Sequence, residues 1–194
     1  MSSPVADLAW GAPQQVERWT EADAELVLGQ LGRRPRGVVG TAYRCAHGVP
    51  AVLQTAPRLE DGTPFPTLYY LTCSTLATIV SRMESDGLMA EMTHRLTVDL
   101  DLAAGYQRAH DSYLATRNAL GDLGHAVTAG GMPDRVKCLH VLVAHSLAVG
   151  RGVNPLGDEA VDLLGEYAVK GELVCAQLEP GPVVSTDAET VTEA

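Results

Sequence analysis

The run Cys138–Gly150, CLHVLVAHSLAVG, is apolar on nearly every side. A surface helix hides one stripe, but a helix that is apolar all round must be covered all round. The run is far too short to span a bilayer, which takes about 20 apolar residues, and it carries His140 and His145. It therefore predicts a buried central helix, Asp134–Val149, around which the other elements must pack. A chain of 194 residues with 46% apolar content has the material for one such domain. With one Phe and two Trp, its core must be built chiefly from Leu, Val and Ala.

The covering elements can be read from their caps and turns. Thr20 followed by Asp23 is an N-cap with an acid in the first turn, so a helix is expected from Glu21 to Leu31, stopped by Gly32. Gly37–Arg44 is rich in β-formers and reads as a strand. Gly48-Val49-Pro50 makes a turn, Ala51–Thr55 a second strand, and Thr67–Thr72 a third after the turn-dense stretch LEDGTPFP. Strands joined by turns, with no helix between them, point to an antiparallel sheet. The rest reads as helical: Ser74 to Asp86, Leu88 to Leu96, Asp99 as cap of a helix to Leu120, and Asn154-Pro155 as cap and first residue of a helix to Val169. The expected class is α+β: a small antiparallel sheet of about three strands packed by a mostly helical C-terminal half. Residues 1–19 read as a flexible start, 20–170 as a single domain, and 171–194 as an acidic, disordered tail. No internal repeat is present.

Charge narrows the function. The net charge is −10, and five of the acids fall in the tail; without it, 14 Lys and Arg still face 19 Asp and Glu. A nucleic-acid binder needs a basic face to displace counterions, so none is expected as partner. The opening MSSPVADLAW lacks a basic region followed by an apolar one, so the protein is expected in the cytoplasm, with no membrane partner. A reducing compartment keeps cysteines as thiols: core residues, metal ligands or nucleophiles.

Three cysteines sit at comparable places. Cys45 follows the first strand, Cys73 ends the third, and Cys138 opens the central helix. Strand ends and a helix start can meet at one sheet edge, where three thiolates could hold an iron–sulfur cluster or Zn²⁺. A helix N-terminus also activates a thiol, so Cys138 suits a nucleophile equally well. Cys138 and His145 are seven residues apart, about 10 Å along a helix, too far to share one metal. His145 is expected instead as a pocket wall and acid–base partner. His140 could join Cys138 on a metal only if Cys138 lies before or at the helix start. His47 is a separate candidate. None of the cysteines forms a CxxC pair, and a cysteine or histidine in an apolar setting is ordinarily a core residue. Weaker features are the basic connector Arg33-Arg34-Pro35-Arg36, the pair His110 and Tyr113, the segment Ser81–Glu84 as a source of ion pairs, and the Gly130-Gly131 amides as an anion site.

The stretches PRLEDGTPFPTLYYLTC (Pro57–Cys73), SRMESDGL (Ser81–Leu88) and GMPDRVKCLHVLVAHSLAVGRGVNPLGDEA (Gly131–Ala160) resemble the bacterial domain-of-unknown-function family 501, and the chain looks like an actinobacterial member. The resemblance runs from about Thr20 to Val169. It implies no activity. It does imply a site on Cys45, Cys73, Cys138, His140 and His145, and it leaves out Cys175 and His47. The chain departs from the family pattern at Ala46 and Ser74, where members often carry Pro after the cysteine. Three functions then compete: a metalloprotein on Cys45, Cys73 and Cys138 with His140 or an exogenous molecule in fourth place; an adaptor with structural cysteines and an unknown protein or small-molecule partner; and a Cys/His thiol enzyme.

Overall fold

Thr20 opens the first helix as its spacing from Asp23 requires. The Thr20 hydroxyl oxygen accepts the Asp23 N–H while the Asp23 carboxylate accepts the Thr20 N–H, a reciprocal capping box. Helix α1 (Glu21–Leu31) ends at Gly32, whose left-handed φ of 67° lets its N–H reach the Leu28 carbonyl. In the computed structural model, residues 15–45, 47–123 and 128–168 are described.

The sheet has four antiparallel strands where three were expected, in the order β1-β2-β3-β4: Glu17–Arg18, Val38–Arg44, Pro50–Thr55 and Tyr69–Leu71. The extra strand, β1, has only two residues and no apolar alternation, so the sequence carried no signal for it. Its position is written instead at Gly40, where a Cβ would lie 2.5 Å from the Glu17 carbonyl oxygen. The β2–β3 ladder slips in register at three places, which bends the sheet.

Helices follow in a run: α2 (Ser74–Ser85), α3 (Leu88–Val98), α4 (Leu100–Leu120), α5 (Leu139–Val149) and α6 (Pro155–Tyr167). Asp99 caps α4 and Asn154 caps α6, as read from the sequence. Helix α5 is the central one. It packs on β2, β3 and β4 on one side and on α2 and α6 on the other, and Leu139, Leu142, Val143, Ala144 and Leu147 are fully buried. Each such Leu or Val contributes roughly 1.5–3 kcal/mol through burial. Helix α6 approaches it closely because residue 157 is Gly: a Cβ there would meet the Leu142 carbonyl oxygen at 2.5 Å. No helix among the described residues is long and apolar enough to cross a membrane.

The expected start of the central helix at Asp134 is corrected to Leu139. Residues 130–134 form a turn, and 135–138 lead from it to the helix without regular structure. The Gly131 carbonyl accepts the Arg135 N–H and the Gly130 carbonyl accepts the Lys137 N–H, so these groups are spent before the helix begins.

Helix α4 is tied to the sheet by Tyr113, whose buried hydroxyl oxygen accepts the Leu68 N–H at 2.6 Å. Replacing Tyr113 by Phe leaves that N–H without an acceptor in the core. The expected loss is about 1–2 kcal/mol, read as a lowered urea midpoint with unchanged slope; a change within 0.3 kcal/mol would mean water replaces the hydroxyl.

Candidate metal centre

The turn that delays α5 makes Cys138 its N-cap. The Cys138 backbone is extended (φ −154°, ψ 109°) and its side chain makes no cap hydrogen bond. The lead-in to the helix is held to α3 by the Val136 N–H, which donates to Thr93 Oγ1 at 3.0 Å. The condition for Cys138 and His140 to act together is thereby met.

The missing cap comes from another helix. Glu84, in the last turn of α2, accepts the Leu139 N–H on Oε1 at 2.7 Å. The carboxylate thus sits at the positive end of α5, where the helix dipole favours it. The same oxygen lies 3.1 Å from His140 Nδ1. On the far side of the ring, His140 Nε2 is 3.1 Å from the Ala77 carbonyl oxygen and 3.4 Å from Ser81 Oγ. A carbonyl only accepts, so Nε2 carries a proton. Nδ1 faces a carboxylate, so without a metal it carries one too, and the ring is an imidazolium. Its pKa is accordingly raised to about 9, by the hydrogen bond with Cys138 and by the Glu84 charge, against the opposing effect of burial.

Glu84, Cys138 and His140 each offer one donor atom, and all three atoms lie within 4.8 Å of one another. Around a tetrahedral zinc, donor atoms stand about 3.3–3.8 Å apart. A contraction of at most about 1–1.5 Å would bring the three donors onto one ion. Among the described residues this is the group with metal-ligand composition and spacing.

The sequence-predicted residues divide around it. Cys138 and His140 belong to the group. Cys45 and Cys73, both buried, stand outside it: Cys45 lies in the turn after β2, and Cys73 is the N-cap of α2 within the apolar core. His47 is exposed and also outside it. Cys175 lies outside the described residues. His145 is placed in the core. It is 1% exposed, stacks on Tyr69 (5.8 Å between ring centres), meets Tyr113 edge-on (5.2 Å), and takes a hydrogen bond from Asn154. The reason is geometric: seven residues from Cys138, it sits two turns down the buried helix. The basic connector is engaged at the surface: Arg33 donates to the Tyr70 hydroxyl, Arg34 pairs with Glu21 and Glu25, and Arg36 pairs with Asp61. His110 and Tyr113 are both buried on α4.

Glu84 is the member that sequence reasoning missed. It was legible only as one end of an ion-pairing segment, because its partners come from α5, some 55 residues later in the chain.

A cavity of about 570 Å³ opens beside the group. Leu31, Tyr69, Tyr70, Leu71, Ala77 and Val141 form much of its wall, and Cys138 and His140 face it, whereas Glu84 and His145 do not. A second cavity of about 310 Å³, lined by Gly130, Arg135 and Lys137 among others, reaches Cys138 from the turn.

The family model described as "Protein of unknown function (DUF501)" matches residues 41–162, more than half of the chain, and the chain belongs to that family. No curated protein matches the chain, and no solved structure does. The matched span takes in Glu84, Cys138 and His140.

Proposed function

We propose that this DUF501 protein binds one divalent transition metal, zinc in the first place, through Cys138 Sγ, His140 Nδ1 and the Glu84 carboxylate. The observation that carries the reading is the orientation of His140. Histidines that ligate metals ordinarily donate their other ring N–H to a carbonyl or carboxylate, which fixes the tautomer and aims the ligand. Here Nε2–H donates to the Ala77 carbonyl, and Nδ1 is turned toward a carboxylate and a thiol. Binding a metal would replace the Nδ1 proton. A mixed S/N/O donor set suits zinc, and three protein ligands with a fourth position open is the arrangement of catalytic rather than structural zinc. Such a site would act as a Lewis acid on whatever occupies that position. A thiolate ligand also fits a reducing compartment such as the cytoplasm.

Metal content of protein purified without chelator tests this. About one zinc per chain is expected, and Co²⁺ exchanged for it should give a thiolate-to-cobalt band in the near ultraviolet. Cys138→Ser and His140→Ala should each weaken metal binding at least ~100-fold, in line with the weight of ligand and near-ligand groups, while Cys45→Ser and Cys73→Ser keep the stoichiometry. Iron with sulfide, or no metal in folded protein, would overturn the assignment.

A thiol function is favoured by one separate observation. Cys138 is half-buried beside two cavities, whereas Cys45 and Cys73 are buried. In metal-free protein, alkylation near neutral pH should therefore fall on Cys138 first.

A further inference from the structure

We infer that the 570 Å³ cavity is the site of a small organic molecule with an apolar body and a single carboxylate, the carboxylate filling the open position of the metal. The inference rests on the metal reading given above. Of the three donors, Cys138 and His140 line the cavity and Glu84 does not. A metal held by Cys138 and His140 therefore stands at the cavity wall, within reach of a molecule that fills the cavity.

The walls select the rest of the molecule. In a chain of net charge −10, no Asp, Glu, Lys or Arg lines this space. Two of its polar members are engaged with the backbone: Gln30 Nε2 and Thr72 Oγ1 both donate to the Pro50 carbonyl. What remains for a ligand is an aliphatic and aromatic surface, with a volume inside the roughly 300–1,000 Å³ usual for small-molecule sites. The sign of the head group follows from the metal, itself a cation, with the start of α2 at Ser74 on the cavity wall adding to it; the start of α5 is already met by the Glu84 carboxylate. A carboxylate satisfies the metal and the α2 dipole together, and a hydrocarbon body satisfies the walls.

The test uses full-length protein loaded with zinc and, separately, stripped by chelator. Straight-chain carboxylates from acetate to decanoate are titrated by calorimetry, with decylamine as the control. Affinity for the zinc-loaded protein should rise about fourfold per methylene until the cavity is filled, and decylamine should bind at least tenfold more weakly than decanoate. Leu31→Glu should abolish the dependence on chain length while the zinc content stays at one, which also reports that the variant is folded. Zinc-loaded protein that takes no carboxylate would overturn this inference and leave the metal site standing. Equal binding to stripped and loaded protein would overturn the metal-anchored mode. Protein that holds no zinc would overturn both.

Discussion

Replacing Glu84 by Ala should cost the metal-free protein about 3 kcal/mol, the larger part of it below pH 7. One oxygen of this side chain does two jobs. It accepts the first N–H of the central helix, at Leu139, and it is the counter-ion of His140. Loss of a helix cap costs ~1 kcal/mol, and a hydrogen bond to a charged group contributes ~1.5–3 kcal/mol. Both partners are half-buried, with 29% of the His140 side chain and 23% of the Glu84 side chain exposed, so water replaces little of what is lost. Glu84→Gln separates the two jobs: the amide oxygen can still accept the Leu139 N–H, but the charge is gone. It should cost about two-thirds as much as Ala. The pH dependence has a definite sign. His140 has a folded pKa near 9 against 6.5 for the free side chain, so its contribution is fully present below 6.5 and is lost as pH rises through 9. The destabilisation caused by Glu84→Ala should therefore shrink between about pH 6 and pH 10. Urea unfolding in chelator at several pH values measures this. Equal losses for Ala and Gln would mean that the side chain does not cap α5, and a loss independent of pH would mean that it does not pair with His140.

The fold was legible where the chain speaks locally. Thr20 with Asp23, Asp99, and Asn154-Pro155 marked helix starts that the structure keeps, because a cap is decided by residues three or four apart. The apolar run around Val143 identified the central helix, because burial on all sides leaves no other composition possible. Two errors have one source. The start of that helix moved from Asp134 to Leu139, and β1 was not foreseen, because both depend on backbone partners distant in the chain or hidden in turn geometry: the Gly130 and Gly131 carbonyls in one case, the β2 edge in the other. The candidate site divides in the same way. Cys138 and His140 were visible as a pair whose partnership hung on a helix boundary. Glu84 was not visible as a member, since nothing in SRMES says which helix will stand above it. Cys45 and Cys73 had the same sequence credentials as Cys138; what separates them is burial, which comes from packing against elements remote in sequence.

His145 should make the protein acid-labile well above the pH at which carboxylates usually protonate. Its ring is enclosed by Tyr69 and Tyr113, and burial lowers its pKa from 6.5 to about 4. Its hydrogen bonding is determined by Asn154. The Asn154 amide oxygen accepts the Gly157 N–H at the start of α6, so its NH₂ must be the group facing His145 Nδ1. Nδ1 is then an acceptor, the proton is on Nε2, and Nε2 has no partner among the described residues. A second proton would have to enter at Nδ1, against the Asn154 NH₂ and without water. The unfolded chain takes up that proton near pH 6.5 and the folded chain does not until about pH 4, so stability falls as pH falls through this window. At ~1.4 kcal/mol per pH unit the loss approaches about 3 kcal/mol. His145→Phe isolates the effect, because Phe can keep the aromatic packing and cannot titrate. At pH 7.5 the variant should be less stable by about 1–2 kcal/mol, since the Asn154 NH₂ is left without an acceptor in the core. Near pH 4.5 it should be the more stable of the two, so that the two curves of unfolding free energy against pH cross. Parallel curves would show that His145 already takes up its proton in the folded protein, and that the enclosure formed by Tyr69, Tyr113 and Asn154 opens to water.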